Sequence, residues 1–311
     1  MREEIIIEEQ GLRDGLQSEG RVLTTTDKLQ LLDALLDAGL RRVQLCSFVH
    51  PRRVPQMADA EALFKRLERR PGITYSALVL NLRGVERAAA VGVEHLAISL
   101  SASDTHSRKN SGKGLAEARE AFRAQIAAAR GAQIKIRAGI QCAFGCREEG
   151  AISEARILDL VRHHLDLGVD ELALADSSGM AHPRQLAALL PRLLEEAQGV
   201  PLFLHLHDTE GKAMVNAMTA LECGVRHFDA GLGGSGGCPY IPGASGNLAT
   251  EDLAHFAAQF GYESGLSLHS LVPAVERLEA MLGRNLPGKI SKLIQRPKLQ
   301  ILGLREEAPS A

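Results

Sequence analysis

Pro201-Leu202-Phe203-Leu204-His205-Leu206-His207-Asp208-Thr209 is the stretch whose reading decides the fold. Positions 201–206 are an apolar run of strand length, closed by polar residues that open a loop. Residues two apart in a strand face the same side, so His205 and His207 project two imidazoles together at its C-terminal end. That is a spacing for two ligands of one divalent metal. Histidines at i, i+2 also arise incidentally, so the reading gains force only where the same fold brings in a carboxylate. Asp208 and Thr209 then lead into a helical pattern over about 210 to 223.

Outward from this stretch the same unit repeats. An apolar strand over 4–9 is followed by the turn Gly11-Leu12-Arg13-Asp14-Gly15. Thr24, Thr25 and Thr26 can cap a helix whose apolar face is Leu29, Leu32, Leu35 and Leu36 and which Gly39 ends. A strand over 42–46 gives way to the loop from Ser47 to Pro51 and a helix over about 57–69. Further strands are predicted near 73–80, 94–100, 133–142, 170–175 and 226–230, with helices near 83–91, 114–131, 153–167, 183–197 and 249–259. Eight strands, each followed by a helix, predict a parallel sheet closed as a (β/α)8 TIM barrel. A doubly wound sheet is the competitor, but no glycine-rich dinucleotide fingerprint follows the first strand. No linker rich in Pro, Gly or Ser separates a second domain. The expected division is a catalytic barrel over 1–265 and a C-terminal helical extension over 266–311 packed on it, carrying Pro287-Gly288 and the basic residues Lys289, Lys292, Arg296 and Lys298.

Composition narrows the function. With 311 residues, 45% hydrophobic and 24% charged, the chain has the balance of an enzyme-sized globular protein. A net charge of -2 argues against nucleic acid as a partner, and no apolar run is long enough to span a membrane. The acidic start, Met1-Arg2-Glu3-Glu4, resembles no signal or transit peptide, and five cysteines, an odd number, favour reduced thiols. A cytoplasmic location is expected. With Trp absent and aromatics at 4%, the core is expected to be aliphatic.

A barrel enzyme keeps its site at the C-terminal ends of its strands. Polar candidates fall at that end after most strands. Arg13 and Asp14 follow the first, Gln44 and Ser47 lie at the second, and Asn110 is in the loop after the fourth. Cys142 and Cys146 follow the fifth, Asp176 the sixth, and His205 and His207 end the seventh. After the eighth comes Gly231-Leu-Gly-Gly-Ser-Gly-Gly-Cys238, reaching Asn247. So many glycines exclude a helix or strand interior. The stretch is either a surface loop or a mobile lid that delivers Cys238 to bound substrate and ends on Asn247. Two histidines, a carboxylate and an amide suit Mg²⁺ or Mn²⁺ better than Zn²⁺.

The blocks Gly11-Leu-Arg-Asp-Gly-Leu-Gln17, Ser47-Phe-Val-His-Pro51, Val54-Pro-Gln-Met57, His205-Leu-His-Asp-Thr209 and Gly236-Gly-Cys-Pro-Tyr…Gly243-Ala-Ser-Gly-Asn-Leu-Ala-Thr-Glu-Asp252 together resemble the 3-hydroxy-3-methylglutaryl-CoA lyase family. These are metal-dependent TIM-barrel lyases related to isopropylmalate synthases, and the likeness runs in order from about residue 4 past 260. The resemblance implies Asp14, His205, His207 and Asn247 as ligands of Mg²⁺ or Mn²⁺, Arg13 as electrophilic stabiliser and Cys238 as acid/base residue in a lid. It places Glu9, Gln17, Ser47, Asp176, Glu251 and Arg137 at active-site positions. Asp176 and Glu251 are expected among the catalytic residues, and Gln17, Gln44, Ser47, Asn110 and Arg137 among those binding an acyl-CoA substrate. Cys142 and Cys146 match a block read as site wall, whereas Cys46 and Cys223 read as core thiols. A homodimer is expected. The implied reaction is retro-Claisen cleavage of 3-hydroxy-3-methylglutaryl-CoA to acetyl-CoA and acetoacetate, with a related thioester such as citramalyl-CoA, or a non-catalytic metal-binding barrel, as alternatives.

Two positions depart from the family pattern. Leu12 stands where the family has proline, a minor backbone change. Gln44 stands where the family has glutamate, which removes a negative charge and a partner for Arg13.

Overall fold

A computed structural model describes residues 3–236 and 246–294. Eight parallel strands close in sequence order: β1 (Ile6–Glu9), β2 (Arg42–Ser47), β3 (Thr74–Val79), β4 (His95–Ser101), β5 (Lys135–Gln141), β6 (Glu171–Asp176), β7 (Leu202–Leu206) and β8 (His227–Ala230). β1 pairs with both β2 and β8, so the sheet has no free edge and the TIM barrel is complete. Glu3–Glu4 adds a short pairing with Tyr262–Glu263 outside it.

The helices form where the sequence supplies caps and an apolar stripe. α1 (Thr25–Asp37) starts at Thr24 with a reciprocal capping box, Thr24 with Asp27, and buries Leu31, Leu32, Leu35 and Leu36. α2 (Ala60–Arg66) and α3 (Leu82–Ala90) follow β2 and β3, the latter capped by Asn81. The segment after β4 is more ordered than a loop. Ser103 caps a helix, α4 (Asp104–Ser111), which precedes α5 (Leu115–Gly131) and carries Asn110. No apolar stripe marked α4, because it buries only Ser107. α6 (Glu154–Asp166), α7 (Pro183–Ala197), α8 (Ala213–Glu222) and α9 (Thr250–Gln259) complete the ring. α10 (Leu268–Leu282) packs on α1 and α9 through Leu271, Val275 and Leu278, and α11 (Ile290–Ile294) lies against α9 and α10.

The core divides in two. Between strands and helices it is aliphatic, as the absence of Trp predicts. Inside the barrel it is not. Glu8, Arg42, Arg137, Glu171 and Asp229 form one ion network, with Arg42 bridging Glu8 at 2.9 Å and Glu171 at 2.8 Å and Arg137 bridging Glu8 at 3.0 Å and Asp229 at 2.8 Å. Both guanidinium carbons lie over the Phe203 ring, 4.8 and 4.6 Å from its centroid. Every charge there has an opposite partner, the condition under which buried ions are tolerated. Among the described residues no helix is long and apolar enough to cross a membrane.

Candidate active site

The site is assembled from the C-terminal ends of β1, β2, β7 and β8. After β1 the chain makes a single wide turn over Gly11–Gly15, which places Arg13 and Asp14 on the rim. Gly11 is required there: a Cβ would sit 2.5 Å from Glu9 Oε1, which accepts hydrogen bonds from the Gly11 and Leu232 amides. β7 ends on His205 and Leu206, and the next residue, His207, pairs by a backbone bridge with Asn247.

Asp14, His205 and His207 form the metal-capable cluster among the described residues, their ligand atoms within 4.8 Å of one another. The Nε2 atoms of His205 and His207 face each other at 3.0 Å, and Asp14 Oδ2 lies 3.9 and 3.7 Å from them. Asp229 Oδ2 is 3.1 Å from His205 Nδ1, so that nitrogen carries the proton and donates, leaving the Nε2 lone pair aimed at the cluster. Two imidazole lone pairs and a carboxylate converging on one point fit a divalent cation. Burial opposes ionisation of Asp14, yet the Arg13 guanidinium beside it holds its carboxyl well below the usual carboxylate range. Asp14 is thus anionic at neutral pH, as a ligand must be.

Asn247 stands beside the cluster but presents its amide nitrogen, which donates to Asp14 Oδ2 and to the Ser235 carbonyl, both at 2.9 Å. To ligate a cation it would turn its amide over and give up both bonds. The glycine stretch approaches closely here. Gly236, at φ +106°, leaves no room for a side chain, since a Cβ would lie 2.7 Å from Asn247 Nδ2. Cys238 lies outside the described residues.

Arg13 is held by three side chains. Its Nε donates to Gln44 Oε1, its Nη1 to Asp14 Oδ1, and its Nη2 to Gln10 Oε1 at 3.0 Å. Gln17 donates to Asp14 Oδ1 at 3.0 Å. Ser47 is buried at the end of β2. Asn110 donates to Gln141 Oε1 at 3.1 Å, lining a small cavity between β4, β5, α4 and α5.

Three expected site residues are buried and already hydrogen-bonded or ion-paired within the fold. Arg137 was expected to bind substrate, but it is 2% exposed and spent on Glu8 and Asp229 inside the barrel. It supports the site by holding the carboxylate that orients His205. Asp176 accepts from the Met180 and Ala181 amides and shapes the loop after β6; burial raises its pKa. Glu251 accepts from the Gly233 amide beneath the glycine stretch, and burial and then Asp252 push it up to about 8. Cys142 is buried in the wall, its thiol pushed up to about 12 by burial, and Cys46 is a core thiol.

Asp229 and Gln10 are the contributors that residue-by-residue reading missed. The signal for Asp229 was position: an acidic residue near a strand end, on the strand that pairs with the His205 strand. Gln10 carried no signal beyond its place before the Gly11 turn.

The HMGL-like family model matches residues 4–278. A hydroxymethylglutaryl-CoA lyase of Bacillus subtilis (strain 168) is 37% identical, over 92% of this chain and 95% of that protein. An (R)-citramalyl-CoA lyase of Chloroflexus aurantiacus is 40% identical, over 90% and 92%. The solved structure of an HMG-CoA lyase from Acinetobacter baumannii, in complex with coenzyme A and 3-methylmalate, superposes with a TM-score of 0.90 at 35% identity, covering 95% of this chain and 97% of that one. A family model over most of the chain, on a barrel with this His-His-Asp cluster, places the protein among the lyases of the HMGL-like family.

Proposed function

We propose that this chain is a divalent-metal-dependent carbon–carbon lyase that cleaves a 3-hydroxyacyl-CoA to acetyl-CoA and a keto acid. The observation that carries the reading is the convergence of Asp14, His205 and His207 beside Arg13 at the C-terminal mouth of the barrel. 3-Hydroxy-3-methylglutaryl-CoA, giving acetoacetate, is the reading supported by the B. subtilis relative. Citramalyl-CoA, giving pyruvate, is a second reading, favoured by Gln44 and by the C. aurantiacus relative.

Asp14, His205, His207 and, after turning its amide, Asn247 would hold Mg²⁺ or Mn²⁺. A bound cation supplies Lewis acidity that lowers the pKa of the substrate's tertiary hydroxyl. The chain's own residues do the rest. Asp229 behind Nδ1 leaves the His205 Nε2 lone pair for the cation, and Asp14, the carboxylate of the cluster, is the group beside it that would take the hydroxyl proton. The C2–C3 bond then breaks, its electron pair going to C2 as the thioester enolate while C3 becomes the ketone carbon. Arg13 has one N–H left on each terminal nitrogen after its bonds to Gln10 and Asp14, and these can meet developing enolate charge. A preorganised donor of this kind contributes about 3–4 kcal/mol. Cys238, two residues beyond Gly236, is the proposed acid that delivers a proton to C2.

Free thiols at Cys46, Cys142, Cys146 and Cys223 support a cytoplasmic setting, and sedimentation tests the homodimer expected of the family. The test of the activity is a panel of hydroxyacyl-CoA thioesters assayed for acetyl-CoA release with Mg²⁺ and with Mn²⁺. Metal-dependent release is expected; no release from any of them, at either metal, overturns the reading.

A further inference from the structure

Two amides and one carboxylate surround the Arg13 guanidinium. A guanidinium only donates, so Gln44 and Gln10 must both turn their oxygens toward it and their NH2 groups away. Gln44 is 1% exposed and its NH2 group donates to no described residue. Gln10 is fully buried, and its Nε2 has no partner among the described residues. Donor capacity is therefore left over on both sides of Arg13, in a place where unmet polar groups are disfavoured.

Charge points the same way. Asp14 is the carboxylate bonded to Arg13 among the described residues, and it also belongs to the cation cluster. A cation drawn to Asp14 competes for that charge and leaves Arg13 facing neutral amides. A glutamate at position 44 would give Arg13 a counter-ion of its own; Gln44 does not. The backbone holds Gln44 in place, because β2 shifts register against β3 between Gln44 and Cys46, pairing them with Ser76 and Ala77.

Resting on the reading of the site as a thioester lyase, we propose that Gln44 is a specificity-determining residue. Compared with a glutamate, it tilts the site toward thioesters whose free carboxylate is bonded directly to the carbinol carbon, so that the ketone released is a 2-oxo acid. Such a carboxylate sits next to the reacting hydroxyl, hence near both the cation cluster and Arg13. It supplies the missing counter-charge and accepts from the Gln44 NH2 group. Glutamate would repel it and offer no proton. Where a methylene separates carboxylate from carbinol carbon, the anion lies farther away and the discrimination fades.

The experiment compares kcat/KM for citramalyl-CoA and 3-hydroxy-3-methylglutaryl-CoA in the wild type, Gln44→Glu and Gln44→Met. In Gln44→Glu the citramalyl-to-hydroxymethylglutaryl ratio should fall at least tenfold. Gln44→Met, without donor or charge, should fall between. Calorimetry with malate, a dicarboxylate bearing its hydroxyl beside a carboxylate, should show at least tenfold weaker binding to Mg²⁺-loaded Gln44→Glu. Ratios within threefold of wild type, with both thioesters still cleaved, overturn the specificity role and leave the lyase reading intact. Should the wild type cleave no thioester of the panel, the lyase reading falls and the malate titration decides the role of Gln44 alone. If circular dichroism shows Gln44→Glu unfolded, the Gln44→Met ratio decides, and an unchanged value overturns the proposal.

Discussion

His205 illustrates how a single side chain is aimed in this protein. It sits on a strand, so its backbone is fixed by pairing on both sides, Ala175 on one and Asp229 on the other. Its ring is fixed by Asp229, Asp229 by Arg137, and Arg137 by Glu8, a chain of buried ion pairs running into the barrel. His207 has no such backing. It lies past the end of the strand and is held by its bridge to Asn247 and by Asp14. That difference makes His207 the safer residue to remove. His207→Ala should lose divalent-metal binding by at least about 10–100-fold, the scale seen even for disturbed second-layer contacts, while the barrel stays folded. Calorimetric titration with Mn²⁺, alongside far-UV circular dichroism, checks both halves. An unchanged affinity would remove His207 from the ligand set.

At the scale of elements, the segment after β8 departs most from regular structure. Gly233 and Gly234 adopt φ of +65° and +70°, conformations that glycine takes without strain. Beneath them, Glu9 accepts from Leu232 and Glu251 accepts from Gly233, while Gly288 donates to the Gly233 carbonyl from the C-terminal side at 2.7 Å. The base of the glycine stretch is thus anchored from two directions, and its far end passes against Asp14 and Asn247 at Gly236. Cys238, outside the described residues, follows two residues after Gly236. Cys238→Ser should retain thioester binding and reduce turnover by orders of magnitude, because a hydroxyl is a far weaker acid than a thiol of pKa about 8.5. Turnover near wild type would place the proton donor elsewhere. The periodicity of the sequence located this stretch, because glycine density excludes helix and strand. It could not show Glu9 and Glu251 beneath it, since these carboxylates are far apart in the chain and meet only through barrel closure.

For the whole molecule, the barrel was legible because each β/α unit is a local pattern, and eight such units with no dinucleotide fingerprint after the first strand favour closure over a doubly wound sheet. The filling of the lumen was not. Arg42 and Glu171 each read as an isolated charge in a strand and Arg137 as a substrate-binding residue, and their pairing depends on which strands face across the barrel. α4 was missed for the opposite reason, lacking an apolar stripe to read. Buried titratable groups have a further consequence at this scale, on stability against pH. Burial lowers His164, stacked on Phe122, to about 3, raises Glu9 to about 7 and, with Asp252, raises Glu251 to about 8. Unfolded, the histidine titrates near 6.5 and the carboxyls near 4.5. The depressed His164 gives stability that is fully present above pH 6.5 and is lost as pH falls toward 3, because only the unfolded chain takes up that proton. The raised carboxyls act oppositely: their contribution is complete below pH 4.5 and is lost as pH rises through 7 and 8. Between 4.5 and 6.5 two carboxyls outweigh one histidine, so these three groups together lower stability by about 1.4 kcal/mol per pH unit as pH rises. Glu251→Gln removes one of the two. Urea unfolding in EDTA at pH 5, 6, 7 and 8 should show this variant gaining on the wild type at each step, by up to about 1.4 kcal/mol per unit. His164→Leu should gain on it in the other direction, from pH 6.5 down to 4. A stability difference between wild type and Glu251→Gln that stays constant from pH 5 to 8 would mean that Glu251 ionises in the folded barrel as readily as in the unfolded chain.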